Sequence, residues 1–126
     1  MYRMTKFILH GGFERAENEL NKAFYRELVK DVPDKGTLLL CSFASMHEEE
    51  EIKQRYQEQV SRIKNLADKE INFQLADEES FLDQARLADA IHFRGGHTPK
   101  LLSVLRSYPN LSSILTNKTV SGSSAG

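Results

Sequence analysis

Short apolar runs alternate with segments of helical periodicity along this 126-residue chain, and this alternation limits the folds that it can adopt. The apolar runs predict β-strands at residues 6–9, 37–43, 71–75, 90–93 and 119–121. Helical spacing predicts helices between them, at residues 16–28, 52–66, 81–85, 98–105 and 111–115. Strands that alternate with helices pair in parallel, with helices on both faces of the sheet. We therefore predict an α/β fold in a single domain, residues 1–126.

The pattern within each segment predicts which side chains it buries. Residues 37–43 are nearly all apolar, as expected for a central parallel strand, and residues 6–9 also predict a buried strand. Residues 71–75 alternate between apolar and polar side chains. The predicted buried faces of three helices are formed by Ala16, Leu20, Ala23, Phe24 and Leu28, by Ile52, Tyr56, Val60, Ile63 and Leu66, and by Leu101, Leu102 and Leu105.

Composition argues against nucleic acid and membranes as partners. Hydrophobic residues make up 40% of the chain and charged residues 28%, which is ordinary for a globular protein. The formal net charge of −1 gives no strong attraction to either partner. The longest apolar runs, such as residues 38–41, are too short to span a bilayer, and residues 1–6 lack the apolar stretch of a signal peptide. The single cysteine cannot form an internal disulfide, so we expect a cytoplasmic setting.

Tight turns rich in glycine or serine follow three of the predicted strands. They lie at Gly11 and Gly12, at Gly95 and Gly96, and at residues 122–126. Functional sites in parallel sheets form beyond the carboxyl ends of the strands. We therefore expect these three strand ends to lie side by side and to hold the functional site.

The last turn, Gly-Ser-Ser-Ala-Gly at residues 122–126, fits the pattern G-x-S-x-G. In that pattern a sharp strand-to-helix turn exposes the hydroxyl of the central serine as a nucleophile. Ser124 is therefore the candidate nucleophile. The alternative is a flexible tail of serine and glycine without catalytic function.

The glycine pair before residue 98 is a candidate oxyanion site. Gly95 and Gly96 expose backbone N–H groups, which could hold the negative oxygen of a tetrahedral intermediate together with the N–H of Ala125. Thr98 is expected to cap the helix that follows, with Pro99 in its first turn. The alternative is a glycine turn that only allows the helix to pack closely.

Other reactive side chains have simpler interpretations. His92 is expected to pack within its strand, whereas His10 and His97 lie at strand ends and could contact substrate. The acidic run after His47 is expected to be a solvated helix start rather than a metal site. Cys41 is a weaker candidate nucleophile, because a lone buried cysteine is more often a core residue. No metal or organic cofactor is predicted.

The two turns together resemble the peptidase E and cyanophycinase family of serine peptidases. The residues that carry the resemblance are Ile-His-Phe-Arg-Gly-Gly-His-Thr at 91–98 and Val-Ser-Gly-Ser-Ser-Ala-Gly at 120–126. The first strand with Gly11 and Gly12 is also similar to the start of that family. The resemblance covers essentially the whole chain, in order.

This resemblance implies a class I glutamine amidotransferase-like, flavodoxin-like three-layer sandwich. It implies Ser124 as nucleophile and the N–H groups of Gly96 and Ala125 as the oxyanion hole. The implied reaction is hydrolysis of short peptides, including dipeptides with an N-terminal aspartate, through an acyl-serine. His97 and Arg94 depart from the residues common in the family and are the candidate substrate-binding residues.

The family's catalytic histidine follows its nucleophile in sequence, beyond the position that corresponds to Gly126. The resemblance therefore implies that residues 1–126 form an incomplete peptidase domain, inactive alone, whose partner is the missing C-terminal part of the same protein. The sequence also leaves a homodimer open.

Two alternative functions remain at the level of sequence. His10, Gly11 and Gly12 resemble the oxyanion loop of α/β-hydrolases, but the chain holds too many strand-helix units before residue 122 for that fold. The second alternative is a glutaminase-like module that binds a small ligand without catalysis.

Overall fold

The computed structural model of the protein describes residues 5–10 and 19–123. Strands and helices alternate throughout these residues, as the sequence predicts. In chain order they are β1 (Lys6–His10), α1 (Glu19–Lys30), β2 (Gly36–Cys41), α2 (Glu49–Leu66), β3 (Ile71–Leu75), α3 (Phe81–Leu87), β4 (Ala90–Phe93), α4 (Thr98–Arg106), α5 (Leu111–Ile114) and β5 (Thr119–Ser123).

The strands form one sheet in the order β1-β5-β4-β2-β3, and every pairing in it is parallel. The last strand of the sequence, β5, therefore lies between β1 and β4. This arrangement confirms the predicted parallel α/β fold.

Helices cover both faces of the sheet, and successive side chains of β2 point alternately into the two cores that result. Leu38 and Leu40 belong to a cluster with residues of α1 and α2. Leu39 and Cys41 belong to a second cluster, against which α3, α4 and α5 pack. A strand that is buried on both faces must be apolar at nearly every position, which explains the unbroken apolar run in β2.

The buried face of α1 differs from the prediction. Its buried side chains are Asn21, Phe24, Tyr25, Leu28 and Val29, whose spacing gives one continuous helical stripe. Leu20 is 82% exposed and Ala23 is also exposed, because both lie to one side of that stripe. Ala16 lies outside the described residues.

Two further burial predictions are wrong. Phe7 is 69% exposed because β1 is an edge strand, and only its other face, through Ile8, packs against the core. In α4, Leu102 is 43% exposed, while Leu101, Val104 and Leu105 pack against the second cluster. In α2, most of the predicted face is confirmed: Ile63 is fully buried, and Tyr56, Val60 and Leu66 pack around the first cluster. Ile52, the first residue of that face, is half-buried and lines a cavity instead.

None of the helices within the described ranges combines the length and apolar character that crossing a bilayer requires.

Candidate active site

The carboxyl ends of β1, β5 and β4 lie next to one another, as the three glycine and serine turns predict. His10 pairs with Ser123, and Gly122 pairs with Phe93. Gly11 and Gly12 lie outside the described residues, as do Ser124 and Ala125. The structure therefore brings together the strands that lead into the three turns, while the predicted nucleophile and second oxyanion donor remain predictions.

A crevice is expected between β4 and β2, where the direction of the chain connections reverses. The chain leaves β4 toward β5 on one side and leaves β2 toward β3 on the other. Ligand sites in doubly wound sheets form at such switch points. The loop that carries the glycine pair after β4 borders this point.

Backbone hydrogen bonds hold that loop against the loop after β2. The N–H of Arg94 donates to the carbonyl of Cys41 at 2.8 Å, and the N–H of His97 donates to the carbonyl of Ala44 at 2.7 Å. Gly95 and Gly96 lie between these two bonds, so both ends of the glycine pair are held in place.

Gly96 is required by its close approach to Ala44. A Cβ atom at Gly96 would lie 2.4 Å from the Ala44 carbonyl oxygen, and its φ of 158° is one that other residues rarely adopt. No backbone acceptor among the described residues takes the Gly96 N–H. The role of this N–H as an oxyanion donor stays a prediction.

Gly122, unlike Gly96, is not required by a close contact with its described neighbours. A Cβ atom there would meet the carbonyl oxygen of Phe93 at 3.9 Å, an ordinary contact. The described neighbours of Gly122 therefore leave room for a side chain.

The candidate substrate-binding residues lie on either side of the glycine pair. Arg94 is half-buried and directly follows β4, whereas His97 is exposed. His97, not Thr98, is the N-cap of α4, because the N–H of Leu101 donates to its carbonyl at 3.2 Å. The side chain of His97 makes no capping hydrogen bond and is available to other groups.

His92 is a packed residue of the sheet, as predicted. Its Nδ1 lies 2.7 Å from the hydroxyl oxygen of Ser121 on β5, and both residues are buried. Its ring meets that of Phe24 edge-on, with centroids 5.5 Å apart. A buried imidazole in these contacts cannot reach a substrate without rearrangement.

Two solved structures share this arrangement of strands and helices. A peptidase from an acI-B1 Actinobacterium matches with a TM-score of 0.73 and 22% sequence identity. A candidate peptidase E from Listeria monocytogenes EGD-e matches with a TM-score of 0.68 and 20% identity. Both matches cover 98% of this chain.

The fold is that of peptidase E. This confirms the fold resemblance expected from the two turns, rather than the α/β-hydrolase alternative. The chain spans 55% and 60% of the two solved chains. No family model and no curated protein matches the sequence.

Within this peptidase E-like fold, Cys41 is not a nucleophile. It is only 1% exposed at the end of β2, and burial raises the pKa of its thiol to about 12. The thiol is therefore protonated near neutral pH, whereas nucleophilic attack needs the thiolate. The prediction of a core residue is confirmed.

The acidic run after His47 is a solvated helix start, as predicted. Glu49, Glu50 and Glu51 occupy the first turn of α2 and are exposed. Nδ1 of His47 lies 3.2 Å from Oε2 of Glu51, one helical turn away. Within residues 5–10 and 19–123, no group of three His, Cys, Asp or Glu residues could hold a metal ion.

Two residues that shape the candidate site, Ala44 and Ser121, were not predicted from the sequence. Ala44 supplies the carbonyl that requires glycine at position 96, and no pattern in its own segment indicates this. Ser121 pairs with His92, and here a signal exists. His92 is a polar residue within an otherwise apolar strand, and buried polar groups need partners.

A cavity of about 340 Å³ lies beyond the carboxyl ends of β2 and β3. Its lining includes Phe43, Leu75 and Lys100, together with Ser42, whose buried hydroxyl has no hydrogen-bond partner among the described residues. The cavity therefore lies toward the β3 edge of the sheet, whereas β1 and β5 lie toward the other edge.

Proposed function

We propose that this chain carries the nucleophile and the oxyanion hole of a serine peptidase. The observation that supports this most directly is the pairing of β5 with β4, which ends at Gly122 and Phe93. Two residues beyond Gly122 comes Ser124, and three beyond Phe93 comes Gly96. Neighbouring parallel strands lie about 4.8 Å apart, so both turns fall within reach of one substrate carbonyl group.

In the proposed mechanism, the hydroxyl oxygen of Ser124 attacks the carbonyl carbon of a peptide bond. The N–H groups of Gly96 and Ala125 hold the negative oxygen of the tetrahedral intermediate. When the intermediate collapses, the carbon–nitrogen bond breaks and the amine leaves with the proton that a base took from Ser124. Water then hydrolyses the acyl-serine and restores the free hydroxyl.

We propose that the base lies outside residues 1–126. A serine hydroxyl is a poor nucleophile unless a base accepts its proton. Among the described histidine side chains, that of His92 is buried against Ser121 and Phe24 and that of His47 pairs with Glu51, while His97 is exposed. The solved peptidase E-like chains are longer than this one, which leaves room for a further catalytic segment in a protein of that kind.

The proposed substrates are short peptides, including dipeptides with an N-terminal aspartate. Arg94 would attract an acidic side chain, because its guanidinium group stays charged and can bind a carboxylate through two hydrogen bonds. His97, exposed at the start of α4, would contact the same substrate from the other side of the glycine pair. The mechanism calls for no metal or organic cofactor.

A fluorophosphonate probe tests this proposal on the natural full protein, because it reacts with activated serines. We expect one probe per chain on Ser124, seen by peptide mass spectrometry, and no labelling after Ser124→Ala. Ser123→Ala is the matched control, since it removes the neighbouring hydroxyl of the same turn and should leave labelling unchanged. A folded protein that stays unlabelled would support a ligand-binding module and contradict the peptidase.

A further inference from the structure

The pairing between β4 and β5 stops just before the candidate active site, whereas each strand keeps its other neighbour, β2 for β4 and β1 for β5. Their mutual pairing ends at Phe93 and Gly122. Beyond that point, the N–H of Arg94 donates to Cys41 of β2, while Ser123 pairs with His10 of β1. The backbone that leads to the oxyanion loop and the backbone that leads to the nucleophile are thus held by different neighbours.

The side chains of His92 and Ser121 link the two strands close to the end of their pairing. These residues are direct partners in the parallel register, and their Nδ1 and hydroxyl oxygen lie 2.7 Å apart. Their relative exposures are 0% and 2%, so water does not compete for this contact. The pair lies one residue before the final backbone pairing.

The surroundings of His92 restrict its imidazole ring. Phe24 of α1 packs edge-on against it, with ring centroids 5.5 Å apart. On its other side in the sheet, His92 pairs in register with Leu40 of β2, which is fully buried. A ring held in this way can hold Ser121 at a defined distance.

We propose that His92 and Ser121 act as positioning residues that set the separation between the oxyanion loop and the nucleophile turn. The proposal rests on the proposed function, because the separation matters only if both turns act on one carbonyl. Reacting groups must be held closely: a misplacement of 1 Å can lower a rate about 100-fold. Neither residue contacts the substrate.

Ser121→Ala in the natural full protein tests the proposal, because it removes the hydroxyl with little change of volume. The rate of fluorophosphonate labelling is measured over a range of probe concentrations, which separates probe binding from the chemical step. We expect the chemical step to slow about tenfold, since the turns lose part of their alignment, with little change in probe binding.

The matched control is Tyr25→Phe. It removes a buried side-chain hydrogen bond of the same core, donated by Nε2 of Gln59 to the Tyr25 hydroxyl at 3.3 Å, which links α1 and α2 rather than β4 and β5. We expect it to lower the denaturation midpoint about as much as Ser121→Ala does, because each removes one buried hydrogen bond. It should leave the labelling rate of the folded protein unchanged.

Two conservative variants keep the test informative if Ser121→Ala folds poorly. Ser121→Thr retains the hydroxyl, and His92→Asn retains a polar atom close to the position of Nδ1. Both should label faster than His92→Phe, which fills the space of the ring without a hydrogen-bonding atom.

The possible failures are distinguishable. If the wild-type protein labels and the Ser121 and His92 variants label at the wild-type rate once folded, the pair is only structural and this proposal is overturned. If the folded wild-type protein does not label, the proposed function is overturned, and the positioning role with it.

Discussion

Gly96 is the residue whose identity the described structure explains most directly. The Ala44 carbonyl would clash with a Cβ atom at this position, and the backbone angle of 158° disfavours other residues. Both ends of the loop are held by hydrogen bonds, one to Cys41 at the end of β2 and one to Ala44 just after it, so the loop cannot simply move away. Because Gly96 is also the proposed oxyanion donor, its steric and functional requirements coincide.

We expect Gly96→Ala to destabilise the protein by about 1–3 kcal/mol, since it adds a clash and strains the backbone. Chemical denaturation measures this change. Gly122→Ala is the control, because its Cβ atom would make an ordinary contact at 3.9 Å, and it should shift stability by no more than about 0.5 kcal/mol. Equal losses in the two variants would mean that the contact with Ala44 does not constrain Gly96.

Among the elements, β1 and α1 are joined by an ion-pair cluster at the edge of the sheet. Nζ of Lys6 lies 2.6 Å from Oε1 of Glu27 and 2.8 Å from Oδ2 of Asp31. The hydrogen bond with Lys6 lowers the pKa of Asp31 and that of Glu27, and the bond with Asp31 raises the pKa of Lys6. All three groups are solvent-accessible, so the energetic contribution is small.

The sign of the pH dependence follows from these shifts. Both carboxyl groups have a folded pKa below the unfolded value, so their stabilisation is present above that value and is lost as the pH falls through the folded pKa. The pKa of Lys6 is raised, so its stabilisation is present below 10.5 and is lost as the pH rises through the folded value. The cluster therefore stabilises the protein across the neutral range.

We expect Lys6→Met to lower the denaturation midpoint slightly at pH 7 and low salt, because it removes the charge but keeps an apolar stem. The difference from wild type should vanish well below pH 3.8 and shrink at high salt. Lys22→Met is the control, since its partner Glu19 lies within α1. A loss for Lys6→Met that persists in acid would contradict an electrostatic origin.

At the scale of the whole molecule, the sheet order places the candidate site between elements that are far apart in sequence. β1 and β4 lie on either side of β5, although the chain forms two other strands between β1 and β4. The sheet order thus places the fifth strand, which leads to the candidate nucleophile, beside the fourth strand, which leads to the candidate oxyanion loop.

We expect the 126-residue chain by itself to remain unlabelled by a fluorophosphonate, although it contains Ser124. The reason is the proposed absence of a base: without one, the hydroxyl keeps its proton and reacts slowly. Intact-mass spectrometry after incubation with the probe measures the result, with circular dichroism as the check on folding. Labelling that is lost in His97→Ala would identify a base within these residues and contradict the expectation.

Local patterns in the sequence predict most of the elements. β3 and β4 have the bounds that their apolar runs predict, because alternation and burial at these positions are properties of a few successive residues. The buried stripe of α1 was predicted less well: Leu20 has the right spacing but lies beside the contact with the sheet. Helical periodicity gives the spacing of a face, while its neighbours determine which part of that face is covered.

The candidate site, like the fold, is only partly predictable from the sequence. The glycine pair at 95 and 96 and the serine turn at 122–126 are visible in the sequence, because tight turns need particular residues at adjacent positions. Two contacts cannot be predicted from the sequence, because each joins segments that are distant along the chain. They are the contact of Gly96 with Ala44 and the pairing of His92 with Ser121.

The sequence by itself determined the parallel α/β class and the glycine and serine turns at the strand ends. The tertiary structure decided the strand order, the exposure of Phe7 at an edge and the point where the pairing of β4 with β5 ends. The physical reason is that hydrophobic periodicity shows that one face of a segment is buried but does not show which element covers that face. The identity of the neighbour depends on the register and crossovers of the whole sheet.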